Sequence, residues 1–132
     1  MNGNIEEIRA FFAEDKFATK MTGIEIDMAG EGYSKCSLLL NENHKNLFGD
    51  VMGGVLFTLA DFAFAVSVGS PGHYTTTLSS EIRYLARAKG DHLYAECKVA
   101  KNGSRVCFAD VVITDDSGKK IALVSVSGLH LS

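Results

Sequence analysis

One carboxylate stands in the middle of a long apolar run, and it is the residue best suited to chemistry in this 132-residue sequence. The run extends from Met52 to Val68, and Asp61 is its single charged residue. A carboxylate without a partner in a dry core costs several kcal/mol, so its presence requires a reason. A structural hydrogen bond and a catalytic role explain it about equally well on physical grounds alone, because structural partners also perturb carboxylates.

The residues that share a helical face with Asp61 are small or polar. Intervals of three and four positions place them on one stripe of a helix: Gly54, Thr58, Asp61 and Ala65. The flanking positions carry large apolar side chains such as Leu56 and Phe62. A groove with a single carboxylate suits a mostly apolar ligand, whereas close packing of a helix on a sheet also favours small residues. Both interpretations stay open at this level.

Two glycines, Gly53 and Gly54, open the same run, where the first N–H groups of a helix have no intrahelical acceptor. Such a terminus suits an oxyanion in acyl transfer, and a simple glycine cap is the alternative. Asp61 lies eight residues beyond Gly53, about 12 Å along a helix axis. A base and an oxyanion donor must both lie about 3 Å from one reacting centre. If both residues are catalytic, two copies with antiparallel helices must share the sites.

The elements that position these residues follow from hydrophobic periodicity. The pattern predicts helices over residues 4–14 and 52–68, two strands within 23–40, and further strands over 75–86, 92–100, 106–114 and 120–130. Short, turn-rich links between the last four strands predict an antiparallel meander. The expected fold is α+β: a long central helix against a strongly curved antiparallel sheet of five to six strands, in a single domain over residues 1–132.

Composition and charge exclude several classes of function. Hydrophobic residues make up 46% of the chain, and 13 basic against 16 acidic residues argue against a nucleic-acid partner. The apolar run is shorter than the roughly 20 residues that cross a bilayer and carries a central charge, so no membrane partner is expected. Three cysteines and four scattered histidines suggest neither a disulfide framework nor a metal site, and no cofactor is expected. The first residues do not resemble a signal peptide, which favours a cytoplasmic protein.

The segment from Asn46 to Asp61 resembles the hotdog-fold acyl-CoA thioesterases of the phenylacetate-pathway type. The pattern of that family is Asn-x-x-Gly-x-x-His-Gly-Gly, followed by Asp or Glu nine residues after the His. The matching residues here are Asn46, Gly49, Gly53, Gly54 and Asp61. The resemblance extends through most of the chain, since residues 82–91, 101–105 and 115–118 are similar to the strand and turns that follow the family's helix.

This resemblance implies a helix wrapped by an antiparallel sheet, and homodimers with shared sites that often pair into tetramers. It implies that Asp61 is the general base or the nucleophile, and that the Gly53 N–H polarises the thioester carbonyl. It further implies that Asn46 orients substrate or water, and that Thr77 holds the attacking water near the carboxylate.

The family histidine is replaced by Met52 in this sequence. Methionine cannot donate a hydrogen bond to a developing oxyanion, and the loss of one such donor costs on the order of 2–4 kcal/mol of barrier. The Gly53 N–H and the Asp61 carboxylate are still present in this sequence. A slow or specialised acyl-CoA thioesterase is the predicted function, and a non-catalytic acyl-CoA-binding protein is the alternative.

For the coenzyme A part of the substrate, four cations after the helix suit phosphate groups: Arg83, Arg87, Lys89 and Arg105. A solvated strand face is the commoner role for any one of them. Phenylalanines near the motif, including Phe57, suit a medium-chain or aromatic acyl group, although some of them belong to the core. Met52, Gly54 and Thr58 complete the expected substrate-binding set.

Overall fold

The computed structural model describes residues 3–132, which form two α-helices and one six-stranded antiparallel sheet. Helix α1 spans Ile5–Phe12 and helix α2 spans Gly53–Val68, with a π-helical segment at Phe17–Thr22 and a short 3-10 turn at Glu42–His44. The strands are β1 (Ile24–Gly30), β2 (Tyr33–Leu39), β3 (Thr75–Tyr84), β4 (His92–Asn102), β5 (Val106–Asp115) and β6 (Lys120–His130). The predicted α+β architecture, with one long helix on an antiparallel sheet, is confirmed.

Local signals in the sequence set the start of each helix. The Asn4 side chain caps α1 by accepting the Glu7 N–H at 2.9 Å. α1 then packs on the core through Ile8 and Phe12. α2 begins at its glycine pair, close to the predicted start. Within residues 3–132, no helix combines the length and apolarity needed to cross a membrane.

The order of the strands differs from the predicted meander. The sheet runs β1-β2-β4-β5-β6-β3, so β3 pairs with β6 at an edge while β4 pairs with β2. The link from β3 to β4 is therefore a crossover and not a hairpin. Its backbone is anchored on the way, because the Leu85 N–H donates to the Ile121 carbonyl at 2.8 Å and the Lys89 N–H donates to the Asp115 carboxylate at 2.9 Å. The turn-forming residues 89–91 are equally compatible with both kinds of link.

α2 packs on one face of the sheet and supplies the centre of the core. Leu59, Phe62 and Phe64 are buried, and buried residues alternate with more exposed ones along β4 and β5. Full burial of side chains of this size contributes ~1.5–3 kcal/mol each. Gly128 of β6 leaves room for the Phe64 ring, because a Cβ at this position would come within 2.8 Å of it. The sheet therefore holds α2 by close contact at its centre.

The three cysteines belong to this core, since Cys36, Cys97 and Cys107 are all buried and free. Burial raises the pKa of the Cys36 thiol to about 12 and that of the Cys97 thiol to about 11. Thiols that stay neutral in apolar surroundings are poor nucleophiles. All three are therefore packing residues.

The edge strand β3 leaves large apolar side chains uncovered. Leu78 and Tyr84 of this strand are 55% and 53% exposed, and the next residue, Leu85, is 49% exposed. A bulge interrupts the pairing of β3 with β6 between Thr77 and Ser79. An edge strand with exposed apolar side chains is a surface on which another strand can pair.

Candidate active site

The predicted stripe of small and polar residues is the open face of α2. Its members are exposed or half-buried: Gly54, Thr58, Asp61 and Ala65. Neighbouring helix residues such as Leu59 and Phe62 are buried against the sheet. The premise that a single chain encloses Asp61 in a dry core is therefore wrong, because the stripe is turned away from the sheet. A ligand or a second chain can reach the carboxylate from this side.

Asp61 lies beside Thr77 of β3 and near Asp15, which follows α1 in the chain. Partial burial is the largest cause that raises the Asp61 pKa, and the negative charge of Asp15 raises it further. A hydrogen bond with the Thr77 side chain lowers it, and the net pKa stays above the usual 3.8. A carboxylate with a raised pKa is a stronger base, which suits proton abstraction near neutral pH.

The first turn of α2 presents unpaired backbone donors next to Tyr84. The Val55 N–H donates to the Met52 carbonyl at 3.0 Å, so the N–H groups of Gly53 and Gly54 precede this bond. The Tyr84 hydroxyl donates to the Gly53 carbonyl at 3.2 Å. A Cβ on residue 53 would lie 3.0 Å from that hydroxyl, which explains the need for glycine. The terminus is therefore fixed from outside the helix.

Asn46 holds the loop that leads into α2. Its side-chain oxygen accepts the N–H groups of Phe48 at 2.9 Å and Asp50 at 3.1 Å, and its own N–H donates to the Asp50 carbonyl at 2.7 Å. In this structure the side-chain oxygen of Asn46 shapes the loop, and its orientation of substrate or water stays a prediction.

Met52 is the N-cap residue of α2, and its side chain is 48% exposed and makes no capping bond. The nearby histidine does not replace the family histidine, because His44 is buried and both of its ring nitrogens are engaged. Nδ1 accepts the Asn41 N–H at 3.0 Å, and Nε2 lies 2.7 Å from the Thr22 carbonyl, to which it donates. Side-chain assistance to an oxyanion is thus missing at position 52.

No group of three or more histidine, cysteine, aspartate or glutamate side chains in residues 3–132 is arranged to hold a metal ion. Asp61, the Thr77 hydroxyl and the first N–H groups of α2 are the polar groups that the structure places along this face.

More than half of the chain, residues 48–122, matches the family model of the thioesterase superfamily. The acyl-coenzyme A thioesterase PaaI of Escherichia coli strain K12 is 30% identical over 111 residues, which cover 83% of this chain and 79% of that protein. The chain belongs to the thioesterase superfamily. The resemblance to PaaI-like hotdog thioesterases is confirmed, and the protein is a thioester hydrolase.

Solved structures of other thioesterases have the same fold. A thioesterase protein from Streptococcus pneumoniae TIGR4, determined with coenzyme A, is 26% identical with a TM-score of 0.84, covering 92% of this chain and 97% of that chain. A thioesterase from Haemophilus influenzae has a TM-score of 0.89 over 100% of this chain and 93% of that chain. Its identity is 16%, so this second likeness shows the hotdog fold alone.

Among the cations expected to bind coenzyme A, Arg87 lies beside the start of α2 in this thioesterase. Its Nε and Nη2 atoms each lie 2.8 Å from Oδ1 of Asp50, in the loop that Asn46 holds. Both partners line a small cavity that also contains Gly53 and Tyr84. Arg87 therefore lies beside the start of α2, where Asp50 pairs with its guanidinium, and its contact with substrate stays a prediction.

The other three expected cations lie elsewhere. Arg83 pairs with Leu123 of β6 and lies on the same face of β3 as Glu81. Glu81 lines a groove on the side of the sheet away from α2, so Arg83 is also on that side. Lys89 is held by its backbone in the crossover to β4. Arg105 lies in the turn between β4 and β5, where its carbonyl accepts the His130 N–H at 2.8 Å. The structure does not bring these residues together at one phosphate-sized site within a chain.

The aromatic and hydroxyl residues of the expected set divide between core and surface. Phe57 is half-buried, whereas Phe62 and Phe64 are core residues. The Thr58 hydroxyl donates to the Gly54 carbonyl at 2.9 Å, so it satisfies the helix backbone. Of these residues, Phe57 and Thr58 are both partly exposed.

Two residues near the site, Asp15 and Tyr84, were not predicted from the sequence. Asp15 and Ala65 line one cavity of about 410 Å³ together with Phe11, Phe12 and Val68. Asp15 lies in a short polar segment after α1 that carries no motif, and only the packing of α1 against α2 shows its proximity to Asp61. Tyr84 follows Thr77 by seven residues in the same strand, and the crossing of β3 and α2 places it against Gly53.

Proposed function

We propose that residues 1–132 form one catalytic domain that hydrolyses acyl-CoA thioesters in sites shared by two chains. Asp61 and Thr77 of one chain act with the Gly53 N–H of the second. The observation that carries this proposal is the position of Asp61, which lies on the open stripe of α2, beside Thr77 and with a raised pKa. Since Gly53 lies about 12 Å away along the same helix, one chain cannot bring both groups to one carbonyl.

The reaction requires a nucleophile and an oxyanion donor but little acid catalysis, because a thiolate is a good leaving group. In the base route, Asp61 takes a proton from a water molecule held by Thr77, and the water oxygen bonds to the thioester carbon. The partner's Gly53 N–H stabilises the negative carbonyl oxygen. The C–S bond then breaks and releases the CoA thiolate. In the nucleophile route, the Asp61 carboxylate bonds to the thioester carbon, the C–S bond breaks and the CoA thiolate leaves. Water then hydrolyses the resulting mixed anhydride, which releases the acid and regenerates the Asp61 carboxylate.

The edge strand β3 provides the surface for the dimer. Antiparallel pairing of two copies would continue the sheet and cover Leu78 and Tyr84. The same two-fold axis sets the two α2 helices side by side, with Asp61 of each chain near the partner's Gly53. A homotetramer built from two such dimers contains the same sites.

Two observations support a coenzyme A thioester with a medium-chain or aryl acyl group. The Escherichia coli relative is named an acyl-coenzyme A thioesterase, and the Streptococcus pneumoniae structure contains coenzyme A. The cavity that begins beside Ala65, one helical turn beyond Asp61, is lined mainly by apolar groups such as Phe12 and Val68. Its volume of about 410 Å³ accommodates an acyl group of that size.

Loss of thioester absorbance across a panel of acyl-CoAs, from acetyl through long-chain to phenylacetyl and benzoyl, tests the proposal. The wild-type protein is expected to hydrolyse at least one acyl class, and Asp61→Asn is expected to abolish this turnover. The variant should fold normally, because replacing a carboxyl whose pKa is raised by burial removes a cost of ionisation in the folded state. Unchanged turnover in a folded Asp61→Asn protein would contradict the proposed role.

Met52 favours the second candidate function, an acyl-CoA-binding protein with very slow turnover, because it removes one oxyanion donor. The two functions differ in the same panel. Thermal stabilisation by an acyl-CoA with only trace hydrolysis would support the binding protein. In that case Met52→His, which restores a donor at this position, is the variant in which turnover should rise.

A further inference from the structure

Strand β3 contacts both halves of the proposed site. Near its start, the Thr77 side chain lies beside Asp61 in the middle of α2. At its end, the Tyr84 hydroxyl donates to the carbonyl of Gly53, the first residue of α2. One strand therefore carries a neighbour of the carboxylate and a hydrogen-bond donor to the carbonyl of Gly53, seven residues apart.

Tyr84 supplies an anchor that the start of α2 cannot supply for itself. Two consecutive glycines have high conformational freedom, and the Met52 side chain makes no capping bond. The Tyr84 hydroxyl bonds the Gly53 carbonyl at 3.2 Å, and its ring atoms would lie 3.1–3.3 Å from a Cβ at residue 53. These contacts restrict rotation of the first peptide units, and the directions of the Gly53 and Gly54 N–H groups depend on that rotation.

We propose that Tyr84 is a positioning residue for the oxyanion donor and that it acts on the site containing the partner's Asp61. The inference rests on the proposed function and adds a residue outside the predicted site. The same two-fold axis that sets Gly53 near the partner's Asp61 sets the end of one β3 opposite the start of the other. Tyr84 then lies on the Gly53 side of each shared site, and the partner's Thr77 lies on the opposite side.

The Tyr84→Phe variant tests the positioning role, because it removes the hydroxyl and keeps the ring. Since the oxyanion donor acts chiefly in the transition state, kcat should fall about tenfold while KM stays within about twofold. The matched control is Tyr33→Phe, which loses a hydroxyl bonded to Glu96 at 2.8 Å on β4 and should leave both constants unchanged. An unchanged kcat in Tyr84→Phe, or an equal fall in the control, would overturn the role.

Mixed dimers test whether Tyr84 contributes to the site of its own chain's Asp61 or to the site of the partner's Asp61. One differently tagged chain carries Asp61→Asn and the other carries Tyr84→Phe, and the heterodimer is isolated through both tags. If Tyr84 serves the partner's Asp61, one of the two sites is fully intact and the heterodimer has about half of the wild-type kcat per dimer. If Tyr84 serves Asp61 of its own chain, neither site is intact, and the heterodimer is no more active than half of the Tyr84→Phe homodimer.

The outcome separates this inference from the proposed function. Full activity in the Asp61→Asn homodimer would refute the site itself. Loss of activity in Asp61→Asn together with normal kinetics in Tyr84→Phe would refute only the role of Tyr84. Thermal unfolding of each homodimer checks that the exposed Tyr84 side chain can lose its hydroxyl without loss of the fold.

Discussion

Groups on two different parts of the chain shift the pKa of Asp61 in opposite directions. Partial burial and the charge of Asp15 raise its pKa, while the hydrogen bond with Thr77 lowers it. A base must be ionised to act, so the raised pKa limits activity at acid pH, and the bond with Thr77 reduces this limitation. In the proposed base route, the neighbours of Asp61 therefore set the lower pH boundary of the reaction.

The acid limb of the profile of kcat/KM against pH should move in opposite directions in two variants. Thr77→Ala removes the cause that lowers the Asp61 pKa, so the limb should move to higher pH. Asp15→Asn removes a cause that raises this pKa, so the limb should move to lower pH. Thr77→Ser retains a hydroxyl and is the matched control, with a profile close to that of the wild type. Identical limbs in all four proteins would show that Asp61 is not the titrating base.

At the level of elements, β3 determines how two chains meet in the proposed dimer. The midpoint between Thr77 and Tyr84 falls between Ser80 and Glu81. A two-fold axis at Glu81 would set two like charges opposite each other, whereas an axis at Ser80 avoids this repulsion. Ser80 is therefore the expected centre of the paired edges.

Ser80→Cys should give a disulfide-linked dimer on mild oxidation, visible on a non-reducing gel, because the two Cβ atoms would face each other across the axis. Ser125→Cys is the control, since Ser125 is exposed on β6 but that strand is paired on both sides. The native cysteines are buried and should not contribute. Equal cross-linking of both variants would argue against pairing through β3.

The sequence predicts the elements better than their order. The bounds of α2 and β6 agree with the predicted ranges to within one residue, because apolar periodicity and glycine stops are local signals. β4, and not β3, lies next to β2, and β3 therefore pairs with β6 at the edge of the sheet. This choice depends on long-range packing, which the residues of the turns do not specify. For the same reason, Asp61 and Thr77 could be named through the family motif, whereas Asp15 and Tyr84 required the packed structure.

At the scale of the whole molecule, the buried Asp115 carboxylate is one of the groups that hold the crossover from β3 to β4. Asp115 accepts the Lys89 N–H at 2.9 Å, the Ser117 hydroxyl at 2.6 Å and the Ser117 N–H at 2.9 Å. These bonds, with that of the Ser117 side chain as the largest cause, lower the Asp115 pKa to about 2. Asp115 thus joins the crossover to the turn between β5 and β6, and Asp116 of the same turn adds a bond from the Asp91 N–H at 2.7 Å.

Asp115→Asn should lower the free energy of unfolding at neutral pH and weaken its dependence on acid pH. A carboxyl whose pKa is lower in the folded state than its usual 3.8 stabilises the protein above that value, and this contribution is lost as the pH falls toward about 2. Denaturant unfolding at several pH values measures both effects. A control, Asp110→Asn, changes an exposed carboxylate on β5 and should preserve the pH dependence. Parallel curves for wild type and Asp115→Asn would contradict the assignment.

Because its three thiols are buried in the core, the folded protein should not react with disulfide reagents that detect thiols. Cys36, Cys97 and Cys107 are buried, and the thiols of Cys36 and Cys97 ionise only at strongly alkaline pH. The colour that forms in such an assay therefore measures the free coenzyme A released by each turnover. The same colour, rising without substrate by three equivalents per chain, would report that the core has opened. A single assay can therefore distinguish a variant that is folded but inactive from one that has unfolded.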